Sequence, residues 1–239
     1  MSGALLLVGH GSHLNAESSA PVYAHARAIR QRGLFDEVLT AFWKEEPSLS
    51  RALDGCVSAE VTAVPVFMSA GYFTNEVIPR EMGLSGRVTC LGGKRVRYTP
   101  PVGSHPDLAK VIIQRAVEAG AEPGDALAVL GHGTERNRHS QANIYQQTEN
   151  VRRLGRFAEV LTIFMDQDPG MNDLFALTSA SNVVVVPVFI ADGWHAAQTI
   201  PAELRGLPGD RSLHYAMAVG THPAIANVIL ELAQEAAAW

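Results

Sequence analysis

The sequence predicts an α/β protein made of two tandem, similar lobes, each a four-stranded parallel sheet flanked by helices. Three observations carry this. Strand-like and helix-like segments alternate along the 239 residues, an order that implies right-handed crossovers and a parallel sheet covered on both faces. The strand segments are continuous apolar runs, as buried parallel strands require. The first half also reappears in the second at a fixed shift of 122 positions, from His10 to His132, which marks an internal repeat.

Taken in order, Ala4 to Val8 is an apolar run that ends in Gly9-His10-Gly11-Ser12, a strand followed by a turn. The stretch from Asn15 to Arg30 carries Pro21 and then Val22, Ala26 and Ile29 at helical spacing. Phe35 to Phe42 is a second strand, Lys44-Glu45-Glu46-Pro47 a loop, and Ser48 to Leu53 a short helix. Glu60 to Met68 is the third strand, and Gly71 to Asn75 its exit loop, followed by a helix near Glu76 to Met82. Arg95 to Tyr98 is a fourth strand, and Gly103-Ser104-His105-Pro106 introduces an amphipathic helix, Asp107 to Ala119. The pattern then restarts, giving expected domains at residues 1–121 and 122–239. Val64-Pro65-Val66-Phe67 returns as Val186-Pro187-Val188-Phe189 and Ile78-Pro79 as Ile200-Pro201. Gly220-Thr221-His222-Pro223 repeats Gly103 to Pro106 at a shift of 117, so five residues are missing before the last strand of the second copy.

Composition narrows the function classes. With 47% hydrophobic residues and a net charge of −5, the chain reads as an ordinary globular protein and not as a general nucleic-acid binder, which needs a basic face. The absence of a basic leader before Ala4 and of any ~18-residue apolar run predicts a cytoplasmic protein without membrane contact. Cys56 and Cys90 have no counterparts in the second half, and both are expected as buried thiols.

Chemistry enters where the copies differ. Residues that build a lobe should occur twice, whereas residues of a single active site need survive only once. His105 and His222 occur in both copies before a proline and read as turn or capping residues; His13, His25, His139 and His214 stand alone and read as surface or half-buried imidazoles. The second half offers His132, Asp166 and His195 at the ends of three strands, loops that open on one rim of a parallel sheet. Two imidazoles and a carboxylate suit a borderline divalent ion. The first half has His10, Lys44 and Phe73 at the same places, and neither lysine nor phenylalanine ligates a metal.

The paired Gly-His-Gly-[Ser/Thr] turns, the Pro-Val-Phe strand leading to Gly193-Trp194-His195, and the Gly-x-His-Pro helix entrances resemble the class II tetrapyrrole chelatases, and within them the sirohydrochlorin cobaltochelatase and ferrochelatase group. The resemblance covers nearly the whole chain. It implies two chelatase-like lobes with a cleft between them, a lyase that inserts a divalent metal into sirohydrochlorin or a related carboxylate-rich tetrapyrrole, and a place in cobalamin or siroheme biosynthesis. Carried over residue by residue, it makes His132 and His195 catalytic residues and metal ligands, with Asp166 as the acidic ligand, and leaves the amino-terminal site degenerate. Co2+ is the foremost metal, with Fe2+ and Ni2+ as the other candidates, and no organic cofactor is expected. The partners are the tetrapyrrole and the ion, in a monomer or homodimer. Arg136, Arg138, Lys44 and Arg80 are candidates to meet substrate carboxylates, and Trp194, Tyr72 and Phe73 to wall a flat macrocycle. Imidazoles titrating near ~6.5 can both hold an ion and accept the two protons released from the ring. The competing readings are a metal or tetrapyrrole carrier without turnover, a periplasmic-type binding protein, and a histidine phosphoenzyme; the last would want an arginine where Gly9 and Gly131 stand.

Overall fold

The computed structural model describes residues 3–133, 138–193, 195–207 and 211–239, without the side chains of 138–140, 195 and 196. In the amino-terminal lobe the strands are β1 (Ala4–Gly9), β2 (Glu37–Phe42), β3 (Glu60–Pro65), β4 (Val88–Leu91) and β5 (Lys94–Tyr98), in the order β2-β1-β3-β5-β4. In the carboxyl-terminal lobe they are β6 (Ala126–Gly131), β7 (Glu159–Phe164), β8 (Asn182–Pro187) and β9 (Ser212–Tyr215), ordered β7-β6-β8-β9. Every pairing is parallel except β4 with β5.

The expectation of four strands per lobe therefore holds for the second lobe and falls one short for the first. There, Val88 pairs with Arg97 and Leu91 with Lys94 around Gly92-Gly93, whose φ values of +57° and +75° fit the two-residue hairpin turn that matches strand twist. With five residues fewer before β9, the second copy shows no counterpart of this hairpin among the described residues. β4 lies at the sheet edge, and Cys90 on it is exposed while Cys56 is buried. The expectation of two buried thiols is thus corrected for Cys90.

All six residues of β1 and of β6 are buried, which requires cover on both faces of each sheet. On one face of the first sheet, Ala4, Leu6 and Val8 pack with Leu49, Ala52, Ile78 and Met82, from the turn after β2 and from helix α2 (Ile78–Met82). Leu5 and Leu7, pointing the other way, are fully buried on the face where α1 (Ala20–Gln31) and α7 (Ile225–Ala236) lie side by side. In the second lobe, α5 (Leu174–Leu177) and α6 (Ile200–Arg205) contribute Leu174, Ile200 and Leu204 to one face. On the other, α4 (Arg138–Arg153) lies beside α3 (Leu108–Glu118).

The compact units accordingly divide the chain differently from the expected 1–121 and 122–239. One unit is Met1–His105 with Pro223–Trp239, and the other is Pro106–His222. Each half of the repeat gives its last helix to the other lobe. The physical reason is that the apolar side of α3, with Leu108, Val111 and Ile112 buried, packs against β8 and α4, and α7 packs against β3 and α1. His105 Nε2 lies 3.4 Å from Glu235 of α7, and His222 Nε2 lies 3.1 Å from Glu118 of α3. These repeat-related histidines sit at the helix-entrance turns, as expected, and are also the partners of the exchanged helices. His25 is buried, whereas His13 and His214 are exposed. Among the described residues no helix is long and apolar enough to cross a membrane.

Candidate metal-handling site

In each lobe the strand order reverses between the first and third strands of the copy, so the loops leaving those strands diverge above a crevice at their carboxyl ends. In the carboxyl-terminal lobe these are the turns after β6 and β8. Val188 donates its backbone N–H to Leu130 O at 2.8 Å, and Asp166 donates its own to His132 O at 3.1 Å, so main-chain bonds pin the three exits together.

The Gly-His-Gly pattern has a steric cause. A Cβ on Gly131 would lie 2.7 Å from Ile144 Cγ1 and 3.0 Å from the Phe164 ring. Gly133 has φ +75°, and a Cβ there would lie 2.7 Å from Gln167 Cγ, so only glycine meets both demands. Between them, His132 is turned outward and is 68% exposed at its side chain. Its Nδ1 stands 3.1 Å from Asp166 Oδ2 and its ring lies edge-on to Phe189, with centroids 6.1 Å apart. A carboxylate at Nδ1 fixes the tautomer and orientation of an imidazole and presents Nε2 as the ligating nitrogen.

A π-helical turn, His195–Thr199, runs straight into α6. The first lobe repeats it as Phe73–Val77 before α2. Phe73 and His195 thus hold the same opening position of a wide turn, a form frequent at functional sites. The structure brings together His132 and Asp166; the side chain of His195 lies outside the described residues. Among the described residues no three His, Cys, Asp or Glu side chains converge as a ligand set.

The corresponding rim of the first lobe has become aromatic. His10 sits edge-on to Trp43 at 5.2 Å and to Phe73 at 5.0 Å, and Phe73 also packs against Tyr72 and Phe67. Lys44, at the place of Asp166, lies over the Trp43 ring at 3.9 Å. Arg80 is engaged by Glu81 at 2.9 Å. Arg136 and Trp194 lie outside the described residues, as do the side chains of Arg138 and His139. Sequence reasoning missed Trp43, whose signal was its place one residue after β2, and Asp192, whose carboxylate accepts from Ala218 N at 2.6 Å and from Thr221 Oγ1 at 3.1 Å. Burial, and then the Asp192 charge, push the Tyr215 hydroxyl well above the usual tyrosine range.

Comparison with known proteins agrees with this architecture. A protein of Halobacterium salinarum named "Probable sirohydrochlorin cobaltochelatase" is 43% identical over 268 residues, covering 98% of this chain and 92% of the relative. The sirohydrochlorin ferrochelatase of Bacillus subtilis is 24% identical over 259 residues, covering all of this chain and 93% of the relative. A crystal structure from Deinococcus radiodurans, described as a multi-domain protein similar to chelatases with two additional domains, superposes with a TM-score of 0.87 at 35% identity. That match covers 98% of this chain and 54% of the other, so the chain spans about half the length of that protein. The CbiX family pattern matches residues 4–119 and again 126–236, one match per copy of the repeat, and the chain belongs to the CbiX family.

Proposed function

We propose that the protein is a sirohydrochlorin chelatase, a lyase that exchanges the two inner N–H protons of the macrocycle for a divalent metal ion, and that Co2+ is its physiological ion within cobalamin or siroheme biosynthesis. The observation that carries this is the pair formed by His132 and Asp166, 3.1 Å apart on the rim, present in one copy of the repeat and replaced in the other by His10 and Lys44. The names of the relatives support the substrate class and both cobalt and iron as ions.

In this reading the metal and the tetrapyrrole are both substrates. His132 and His195 take the ion from water as neutral imidazoles and hold it for the ring. As the ion passes to the four pyrrole nitrogens, two protons leave them, and the freed imidazoles accept these as general bases. Asp166 orients His132 at Nδ1 and offsets the charge of the ion.

The test is to follow the absorption of sirohydrochlorin with Co2+, Fe2+ and Ni2+ in turn. His132→Ala and His195→Ala should each lower metal insertion by at least ~100-fold, as removal of a positioned acid-base group does, while His10→Ala should leave most activity. Full activity in both first variants would sink the assignment, and loss in His10→Ala alone would move the site to the other lobe. Tight binding of substrate and ion without any spectral change would favour the carrier reading.

A further inference from the structure

We infer that Asp192, Thr221 and Arg115 form a positioning device for the His195 turn, and that the arginine reaches it because α3 is exchanged between the halves of the repeat. The inference rests on the reading of His195 given above.

Asp192 lies three residues before His195 in the loop leaving β8. Its Oδ1 accepts from Ala218 N at 2.6 Å and its Oδ2 faces Thr221 Oγ1 at 3.1 Å. Both partners belong to the segment that follows β9, with Thr221 closing the short turn Val219–Thr221. That segment is anchored from behind. Arg115 donates from Nη2 to Thr221 Oγ1 at 2.8 Å and from Nε to Ala218 O at 3.2 Å. Thr221 Oγ1 lies 2.9 Å from Ala218 O and 3.1 Å from Asp192 Oδ2, so its single proton is shared between the segment itself and the Asp192 carboxylate. Arg115 is only 7% exposed, and its charge is met by Glu118 at 2.8 Å, which in turn contacts His222. A buried guanidinium held in this way is a rigid fork.

The other copy of the repeat shows what this network is for. Its lobe keeps the histidine–glutamate pair as His105 and Glu235, so that pair belongs to the fold. Of the Asp192 device only the hydroxyl is kept. Asp192 corresponds to Ala70, Thr221 to Ser104 and Arg115 to Leu232, and Ala218 corresponds to Pro101, which has no N–H to give. The lobe that lost the device has phenylalanine in place of His195. A purely architectural network would be needed in both lobes. One that survives only beside His195 fits a role in holding that histidine's turn, since outer-shell partners fix the orientation of metal-handling histidines.

The test uses the whole chain, with Co2+ alone as the probe, titrated by its absorption bands, and with metal insertion measured in parallel. Asp192→Ala and Arg115→Leu should each weaken Co2+ binding by about 10- to 100-fold. Asp192→Asn should lie between Asp192→Ala and wild type. In a His195→Ala background, Asp192→Ala should weaken binding no further, because residues that act through one another are non-additive. Equal, additive losses with and without His195 would overturn the inference, as would unchanged Co2+ binding in Asp192→Ala. If Asp192→Ala does not fold, Thr221→Val removes only the hydroxyl and carries the same expectation, with Thr221→Ser restoring binding. Full Co2+ binding in His195→Ala alone would instead refute the site assignment.

Discussion

Gly133 places His132, and it does so against two separate penalties. Its φ of +75° costs an L-residue about 1–2 kcal/mol, and an added Cβ would also meet Gln167 and Phe164 within 2.9 Å. Gly155 makes the control, with φ +61° and nothing within 4 Å of its would-be Cβ. Gly155→Ala should lose about 1–2 kcal/mol in denaturant unfolding, and Gly133→Ala more than that. Only Gly133→Ala should also lose metal insertion, by about 100-fold, because a displacement of ~1 Å at a reacting centre is enough for that. Equal activity in the two variants would show that the turn tolerates the side chain. Phe73 at the place of His195 is the residue-scale difference that the sequence displays openly. The pairing of Asp166 with His132 Nδ1 was legible only as a shared rim, since sequence spacing does not say which oxygen meets which nitrogen.

Among the elements, the exchanged helix α3 matters most for the site. Burial works against ionisation of Glu118, but its hydrogen bond from Arg115 and the charge of His222 outweigh this and hold its carboxyl below the ordinary value of 4.5. A carboxyl whose pKa is lowered by folding adds stability above its unfolded pKa and loses it as pH falls through the folded value. Glu118→Gln should therefore lower the thermal midpoint at pH 6 to 7, and the gap to wild type should close as pH falls below about 4.5. A gap independent of pH would mean that packing, and not charge, couples α3 to His222. β4, the edge strand of the β4–β5 hairpin, is the element the sequence reading left out. Its signal was present in Gly92-Gly93 and in the five-residue difference between copies, but a short edge strand with a half-exposed pattern carries little hydrophobic periodicity.

At the scale of the whole molecule, the repeat boundary and the folding boundary differ. A fragment of residues 106–222 contains a complete compact unit, whereas residues 122–239 lack α3 and carry α7 without the sheet that buries Ile225, Val228, Ile229 and Leu232. The first fragment should be monomeric with a cooperative thermal transition. The second should aggregate, or associate with a separately made 1–121 fragment; sedimentation and circular dichroism distinguish these outcomes. Two independently stable halves cut at 121/122 would contradict the exchange. The sequence by itself determined the repeat, the parallel α/β lobes and the single copy of the His132, Asp166 and His195 set, because apolar periodicity and residue identity are local properties that survive without coordinates. Only the tertiary structure decided which lobe each last helix covers and how Arg115 reaches Ala218 and Thr221. An amphipathic helix fits either of two similar sheets, and the choice is made by long-range packing that no local pattern encodes.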